Sequence, residues 1–582
     1  MTFMSQAYRK LEDVVGKDYI SRDPAILDSY AAHATVFGVP RPGLGVSPWW
    51  NRAGAVILPD TTGQVSRILQ LCNEYGIQYK AHSTGQMPFA FPMNEGSLTI
   101  DLSRMNRIIE IDQDHGYALV EPGVTQGELF IECIKYGWAP HMTDAGSSTS
   151  PLASVTSVSG EGDSGISRGF NERNAMSIEW VLPTGKIMKL GSSQFPKAGW
   201  FSGDGPGPSL LGMMRGAFGA FGERGVFTKA GIKLYPWHGP KLLKKGGTAP
   251  WFEIDEGDLA VNIWLKWDNS ADEANGLYSV GESEIFDSFG KLSATKLEAI
   301  LADSKSEWAD LRRSETYSKF MPNGIWLGSL MAKNEAHMDY CKKCANKISK
   351  ETNANIYFGF NEFPVPNGFD ADYLHFRLEQ ALTQLFHLKD YTSKAVIMPM
   401  MGTIGPLPAV SHYSIDSTLK THEKICKPAK IKAQKKGEVL NDGPEGSWCI
   451  LEDGGHTMLY MNLTRIERKD PKAKVRGLPL NTAIKIIRSG GQLMAASPAL
   501  DKIKPVMSLI RTLSFRLDPK QLSSLSPLSG ALSKDAIRQW SSPLGISSKK
   551  EAWILLLLKI RQMLTFRKQN RDVKTDTHHL EN

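Results

Sequence analysis

Between Ala55 and Tyr235 the chain alternates between two hydrophobic periods. Ala55 to Leu58 is a short apolar run that reads as a strand, and Pro59-Asp60-Thr61-Thr62 supplies a turn with an N-cap. Val65, Ile68, Leu69 and Cys72 then recur at the spacing of one helix face, and Gly76 stops that helix. Ile77 to Ala81 is a second strand, running into the small-residue loop His82-Ser83-Thr84-Gly85. Further strands are predicted at Leu98 to Leu102, Ile108 to Ile111, Ala118 to Glu121, Ser177 to Leu182, Lys186 to Leu190 and Gly225 to Tyr235, the last closed by Pro236. The stretch from Asp144 to Gly169 is rich in Gly and Ser and reads as one long loop.

Beyond this unit the pattern continues as mixed strands (Leu259 to Leu265, Asn355 to Phe360, Thr457 to Asn462) and helices (Ala336 to Lys350, Asp372 to Phe386). No repeat of 20 to 50 residues is evident, and mixed elements with long glycine-rich connections indicate an α+β fold. A chain of 582 residues exceeds what one core serves. The expected organisation is an N-terminal lead over 1–50, a first domain over 51–240, a second over 250–510 and a basic tail over 511–582. The lead reads as a short helix followed by Pro/Gly-rich coil. Within the tail, Lys550 to Phe566 reads as one amphipathic helix.

The formal charge of +7 is modest but uneven. Residues 420–436 hold seven Lys against one Glu, and residues 549–582 hold eight Lys or Arg against four acids. Such runs are solvated faces or footprints for an anionic membrane or acidic partner. No nucleic-acid motif accompanies them. Six Cys in so long a chain do not build a disulfide framework. Met1 to Asp18 has no apolar core of a secretory signal, and Ala552 to Leu558 is far short of the ~20 residues that span a bilayer. A cytoplasmic protein, peripheral at a membrane if the tail docks there, is the expectation.

Three segments carry the chemistry. The loop from His82 to Gly85 offers consecutive backbone N–H groups without bulky side chains, which can cradle a pyrophosphate. The second is Asp101-Leu102-Ser103-Arg104-Met105-Asn106-Arg107, followed by Glu121-Pro122-Gly123-Val124-Thr125. The third runs from Gly216-Ala217-Phe218-Gly219 to Gly225-Val226-Phe227-Thr228.

In this order the segments resemble the FAD-binding domain of the p-cresol methylhydroxylase superfamily. That family includes vanillyl-alcohol oxidase, D-lactate dehydrogenases and the glycolate oxidase flavoprotein, and the match is dense over 50–238. The resemblance implies a two-subdomain FAD-binding domain followed by an α+β substrate-capping domain. It implies that backbone from His82 and Ser83 through Thr84, Gly85 and Gln86 holds the pyrophosphate. It also implies that Pro122, Gly123, Asp144, Ala145, Gly146, Ser147, Ser148 and Gly160 line the cofactor, with Gly225 and Val226 touching it through main-chain groups. Many relatives carry a flavin-tethering His where this chain has Gln86, so non-covalent FAD is expected.

Both well-known active sites of the family are incomplete here. Glu452-Asp453-Gly454-Gly455-His456 resembles the metal-binding segment of the 2-hydroxy-acid branch, but Ile450 stands where that pattern has its upstream His. Near Met494-Ala495-Ala496-Ser497 neither that branch's Glu and His nor the phenol branch's Tyr-Arg pair is present. Asp144 resembles the acidic residue beside the flavin in the phenol branch, where a carboxylate can act as base, and it could equally cap a turn. His412 and His456 are further base candidates. His337, Cys341 and Cys344 share a helix face but lack a second ligand pair, so no metal is expected.

The resulting expectation is an FAD-dependent dehydrogenase of small organic substrates, passing electrons to a protein or membrane acceptor. A homodimer is one expected assembly. A flavin-binding protein without turnover and a membrane-docked subunit are the alternative readings.

Overall fold

In this computed structural model, residues 3–494 are described apart from 32–38, 42–44, 48–51, 86–95, 144–145, 158–159, 163, 196, 204–223, 243, 249–250, 256, 258, 293–305, 307–309, 311–324, 364, 366–369, 376–400, 413, 438–446, 468–481, 483–484 and 487–491. The tail helix expected at 550–566 and most of the helix expected at 372–386 lie outside the described residues.

The first half of the chain packs on two small sheets. In chain order its elements are α1 (Phe3–Val15), β1 (Ile20–Ser21), β2 (Ala55–Ile57), α2 (Thr62–Glu74), β3 (Tyr79–His82) and β4 (Leu98–Asp101). Then come β5 (Ile108–Asp112), β6 (Tyr117–Val120), α3 (Gln126–Ile134), α4 (Pro151–Thr156), α5 (Gly165–Arg168), β7 (Ala175–Val181), β8 (Ile187–Leu190) and β9 (Val226–Lys233).

The first sheet has the order β1-β2-β4-β3, with β2, β4 and β3 parallel and β1 antiparallel at the edge. The second is antiparallel, in the order β8-β7-β9-β6-β5. Helix α2 starts where Thr61 Oγ1 accepts from Gln64 N (3.2 Å), and it buries Val65, Ile68, Leu69, Leu71 and Cys72. The apolar face of α1 (Ala7, Leu11, Val15) joins the same core, as do Ile20, Val181 and Val226. The N-terminal lead thus shares its core with the first sheet. Its expected coil also contains β1 and a hairpin pairing Val39–Arg41 with Gly45–Ser47.

The loop expected from Asp144 to Gly169 contains α4 and α5, which is a correction. Ser150 Oγ caps α4 by accepting from Ala153 N (3.2 Å), and Pro151 sits in its first turn.

The second half is built on one sheet. Its elements are β10 (Ala260–Lys266), α6 (Ser270–Ser283), β11 (Ser288–Leu292), β12 (Ile325–Met331), α7 (Glu335–Glu351), β13 (Asn355–Phe358) and β14 (Met401–His412). They continue with α8 (Ile415–Thr421), α9 (Lys427–Lys435), β15 (Ser447–Glu452), β16 (Thr457–Glu467) and β17 (Gln492–Met494). The eight strands lie in the order β13-β10-β12-β11-β15-β16-β14-β17, and all the pairings are antiparallel.

Period-2 alternation gives this sheet two different faces. Ile263, Leu265, Trp326, Leu330, Cys449, Leu451, Met458 and Tyr460 pack with Leu277 and Val280 of α6, Met338 and Cys341 of α7, and Leu419 of α8. Inside this layer the buried Lys291 bonds Glu273 Oε1 at 2.8 Å, and Trp326 Nε1 donates to the same oxygen at 2.8 Å. The lysine run at 420–436 is not wholly solvated, because Lys430 on α9 is buried. Cys341 is buried and Cys344 half-buried, and no group of three metal-binding side chains occurs among the described residues.

Candidate functional site

The parallel strands β2, β4 and β3 deliver their C-terminal ends to one edge, where sheets of this kind bind nucleotides. The loop after β3 is Ser83-Thr84-Gly85, half-buried. Gly85 has φ +70°, and a Cβ there would stand 2.6 Å from the His82 ring. The backbone N–H groups of Ser83, Thr84 and Gly85 donate to no described residue, so the loop fits an anionic group such as a pyrophosphate. The His82 ring meets Tyr30 edge-on at 5.1 Å, and Tyr30 donates its hydroxyl to Asp101. Burial, reinforced by Asp101, pushes the Tyr30 phenol well above its usual range.

The charged residues of the second motif hold scaffold. Asp101 Oδ1 accepts from Ser103 N (2.8 Å), and Arg104 donates to Leu58 O (2.8 Å) and to Asp60 Oδ2 (3.1 Å). The fully buried Glu121 accepts from Arg107 at its backbone N (3.0 Å), Nε (3.0 Å) and terminal nitrogen (2.7 Å). Gly123 N donates to Met105 O (2.7 Å), which closes Pro122-Gly123 onto the same turn.

The expected flavin-flanking loop is anchored on α3. Thr125 and Glu128 form a reciprocal capping box, Gln126 N donates to Thr149 O (2.7 Å) and Gly127 N to Ser147 O (2.9 Å). Thr149 Oγ1 donates to Gly146 O at 2.7 Å. Gly160 O accepts from Asn171 N at 3.3 Å, and Ser147 is half-buried. Gln86, Asp144 and Ala145 lie outside the described residues. Gly225 has a packing reason of its own: a Cβ would stand 2.2 Å from Val181 O. Val226 is buried in the core that the two sheets share.

From this loop the first half of the chain reaches the second. His141 is buried, with Nδ1 3.3 Å from the Oγ of Ser164, the residue before α5. Gly165 O accepts from Asp453 N (3.0 Å) and Ile166 O from Gly454 N (2.8 Å). Ser167 Oγ donates to Asp287 O (2.8 Å). Arg168 donates to Pro140 O (2.7 Å) and to Asp287 Oδ1 (2.8 Å), and Arg173 pairs with Asp453.

The base candidates are dispersed. His456 is exposed on the turn after β15. His412 ends β14 opposite Met458. Four residues before His456 stands Glu452, the last residue of β15, fully buried with both carboxylate oxygens unpartnered among the described residues. Its carboxyl lies against Gly165, where a Cβ would come within 2.0 Å of Oε2. Burial, together with Glu161 and Asp453, holds its pKa well above the usual 4.5, against the pull of Arg173. The legible signal was a carboxylate closing an apolar strand, Trp448 to Leu451, just before Gly454-Gly455.

Residues 53–191 match the family described as FAD binding domain. Among curated proteins, the 4-cresol dehydrogenase [hydroxylating] flavoprotein subunit of Pseudomonas putida is 33% identical over 194 residues, 31% of this chain and 35% of its own length. The glycolate oxidase subunit of Bacillus subtilis is 27% identical over 183 residues, 31% of this chain and 37% of its own length. The chain therefore spans little more than a third of these two relatives. Among solved structures, 4-ethylphenol oxidase from Gulosibacter chungangensis superposes with a TM-score of 0.66 at 18% identity, covering 91% of this chain and 95% of the other. Substrate-bound p-cresol methylhydroxylase gives 0.64 at 16% identity, covering 91% and 94%. Residues 53–191 are an FAD-binding domain, and the chain as a whole has the α+β fold of the p-cresol methylhydroxylase-type flavoproteins.

Proposed function

We propose that the chain is an FAD-dependent oxidoreductase acting on a small organic molecule. A hydride leaves a carbon bearing a hydroxyl, or an activated C–H, and the electrons pass on to a protein or membrane acceptor. Bound FAD supplies the two-electron acceptor. The backbone of Ser83 to Gly85 holds its pyrophosphate, and Gly146 to Ser148 flank its ring. The capping sheet covers the substrate and excludes water. The proton released from the substrate hydroxyl passes to a side-chain base, for which Asp144 is the choice, because His412, opposite Met458, belongs by register to the helix-covered face. His456 is too exposed to share that role.

The observation that supports this reading most directly is the seam between the FAD-binding domain and the capping sheet, with α5 bonded to Asp287, Asp453 and Gly454. It holds α5 against the ends of β11 and β15. The test is optical. The purified protein is expected to be yellow and to release FAD into an acid supernatant. Anaerobic addition of its substrate is expected to bleach the flavin band. FMN in the supernatant, or a colourless protein that takes up no FAD, would refute the reading. Flavin left in the precipitate would refute non-covalent binding alone.

A further inference from the structure

The face of the capping sheet that looks toward the FAD-binding domain carries a line of polar side chains across four adjacent strands. Asn262 of β10 stands opposite Ser329 of β12, and Ser329 opposite Ser288 of β11. The register pairing Gly290 with Ile450, continued two residues, brings Ser288 opposite Glu452 of β15. Directly opposite residues share a face, so the four side chains form one row. With strands ~4.8 Å apart, the row is roughly 14 Å long.

All four residues are buried: Asn262 is 6% exposed, Ser329 1%, Ser288 1% and Glu452 0%. Each has a side-chain oxygen without a hydrogen-bond partner among the described residues. A buried hydroxyl, amide or carboxyl without a partner costs about 1–3 kcal/mol, so four in one row are a large standing cost. Packing alone does not call for them, because the next row on the same face is Leu327, Gly290, Ile450 and Leu459.

The row also has a fixed outlook. On one side of it Met331, on the same face, packs with Met142, Phe130 and Trp237 of the first domain. At its end Glu452 lies against Gly165. The row is therefore flanked by contacts to Met142 and Gly165. The charge around its Glu452 end is acidic: Glu161, Glu172 and Asp453 surround the carboxyl, Arg173 is the opposing cation, and Arg168 is committed to Asp287.

We propose that the row Asn262–Ser329–Ser288–Glu452 is the recognition wall of the substrate site, and that it takes an uncharged molecule carrying several hydroxyl groups. Such a ligand donates to the Asn262 amide oxygen and exchanges hydrogen bonds with both serines and the Glu452 carboxyl. A short 2-hydroxy acid brings a carboxylate into an acidic surround, and an alkylphenol has one hydroxyl for four waiting groups. The inference rests on the oxidoreductase reading for its site, and names that site's substrate class.

The test is a set of flavin difference spectra and anaerobic bleaching with four probes: cellobiose, 1-phenylethane-1,2-diol, D-lactate and 4-ethylphenol. The expected result is that a neutral hydroxylated probe shifts the flavin spectrum and bleaches it, while D-lactate and 4-ethylphenol do not. Ser288→Ala/Ser329→Ala, checked for unchanged flavin content and circular dichroism, is expected to weaken binding of that probe about tenfold, since two hydrogen bonds are lost. If the double variant is poorly folded, Ser329→Cys alone provides the same comparison. D-lactate or 4-ethylphenol binding that is indifferent to these substitutions overturns the proposal. So does failure of both neutral probes to shift the spectrum. A neutral probe that binds through the row without bleaching leaves the wall standing and refutes the oxidoreductase reading. Bleaching by a probe indifferent to the row does the reverse.

Discussion

Replacing Glu452 by Gln keeps the shape of the side chain and removes its ionisation. In the unfolded chain a glutamate ionises near pH ~4.3. In the folded protein burial, Glu161 and Asp453 keep the carboxyl protonated to higher pH. The folded state therefore binds the extra proton, and stability falls as pH rises above that unfolded value, levelling once the folded carboxyl also ionises. The slope is at most about 1.4 kcal/mol per pH unit, or roughly 2.7 kcal/mol between pH 5 and 7. Residues 1–495 form one compact unit. At ~2.1 cal/mol/K per residue its unfolding entropy is about 1 kcal/mol/K, so the effect is at most some 2–3 °C in thermal midpoint. The assay is the midpoint of the flavin-loaded protein at pH 5, 6, 7 and 8, beside the variant. Titrating groups that do not interact with Glu452 contribute equally to both proteins, so their difference reports Glu452 and its coupling to Glu161, Glu172 and Asp453. The wild-type midpoint is expected to drop more than the variant's as pH rises. Parallel curves, or a steeper fall in the variant, would falsify the assignment of a protonated buried carboxyl.

Arg168→Ala leaves Asp287 and Pro140 O without their cation and is expected to cost about 3 kcal/mol, read as faster proteolysis between the two domains and a midpoint lowered by ~3 °C. An unchanged digestion pattern would count against the seam. Thr125→Ala removes half of the capping box on α3 and is expected to cost about 1 kcal/mol, measured in the same melts. Gly85→Ala forces a side chain into a left-handed conformation against His82, at a cost of about 1–2 kcal/mol. It is expected to weaken FAD retention roughly tenfold with circular dichroism unchanged, and equal FAD affinity would remove the loop from the cofactor site.

The strands of the first domain were legible because short apolar runs end in turn chemistry. The expected strand at 98–102 is β4, and that at 177–182 falls within one or two residues of β7. Thr61 was readable as a cap because it precedes a clean helical period. Helices α4 and α5 were not, since one is six and the other four residues long, and Ser and Gly dominate the composition around them. The signal present was Ser150 followed by Pro151, an N-cap before a first-turn proline. β1 was hidden because two residues show no period and gain meaning only by pairing with β2. The site was less legible than the fold. Asp101, Arg104 and Glu121 stood out as a cofactor motif, yet their bonds go to the scaffold. Ser288, Ser329 and Asn262 look like ordinary polar strand positions until the register sets them in line with Glu452.

The seam between α5 and the capping sheet has a further consequence for traffic. Two backbone bonds (Gly165 with Asp453, Ile166 with Gly454), the Ser167 and Arg168 bonds to Asp287 and the Arg173–Asp453 pair act within a few residues of chain. Swinging the capping domain away as a rigid body would break all of them together, without intermediate partners. A hinged lid is therefore a poor description of this molecule. Ligands must instead enter and leave through movements of loops or side chains around a roof that stays closed. Cross-linking α5 to the turn after β15 is then expected to leave the rate of ligand entry unchanged.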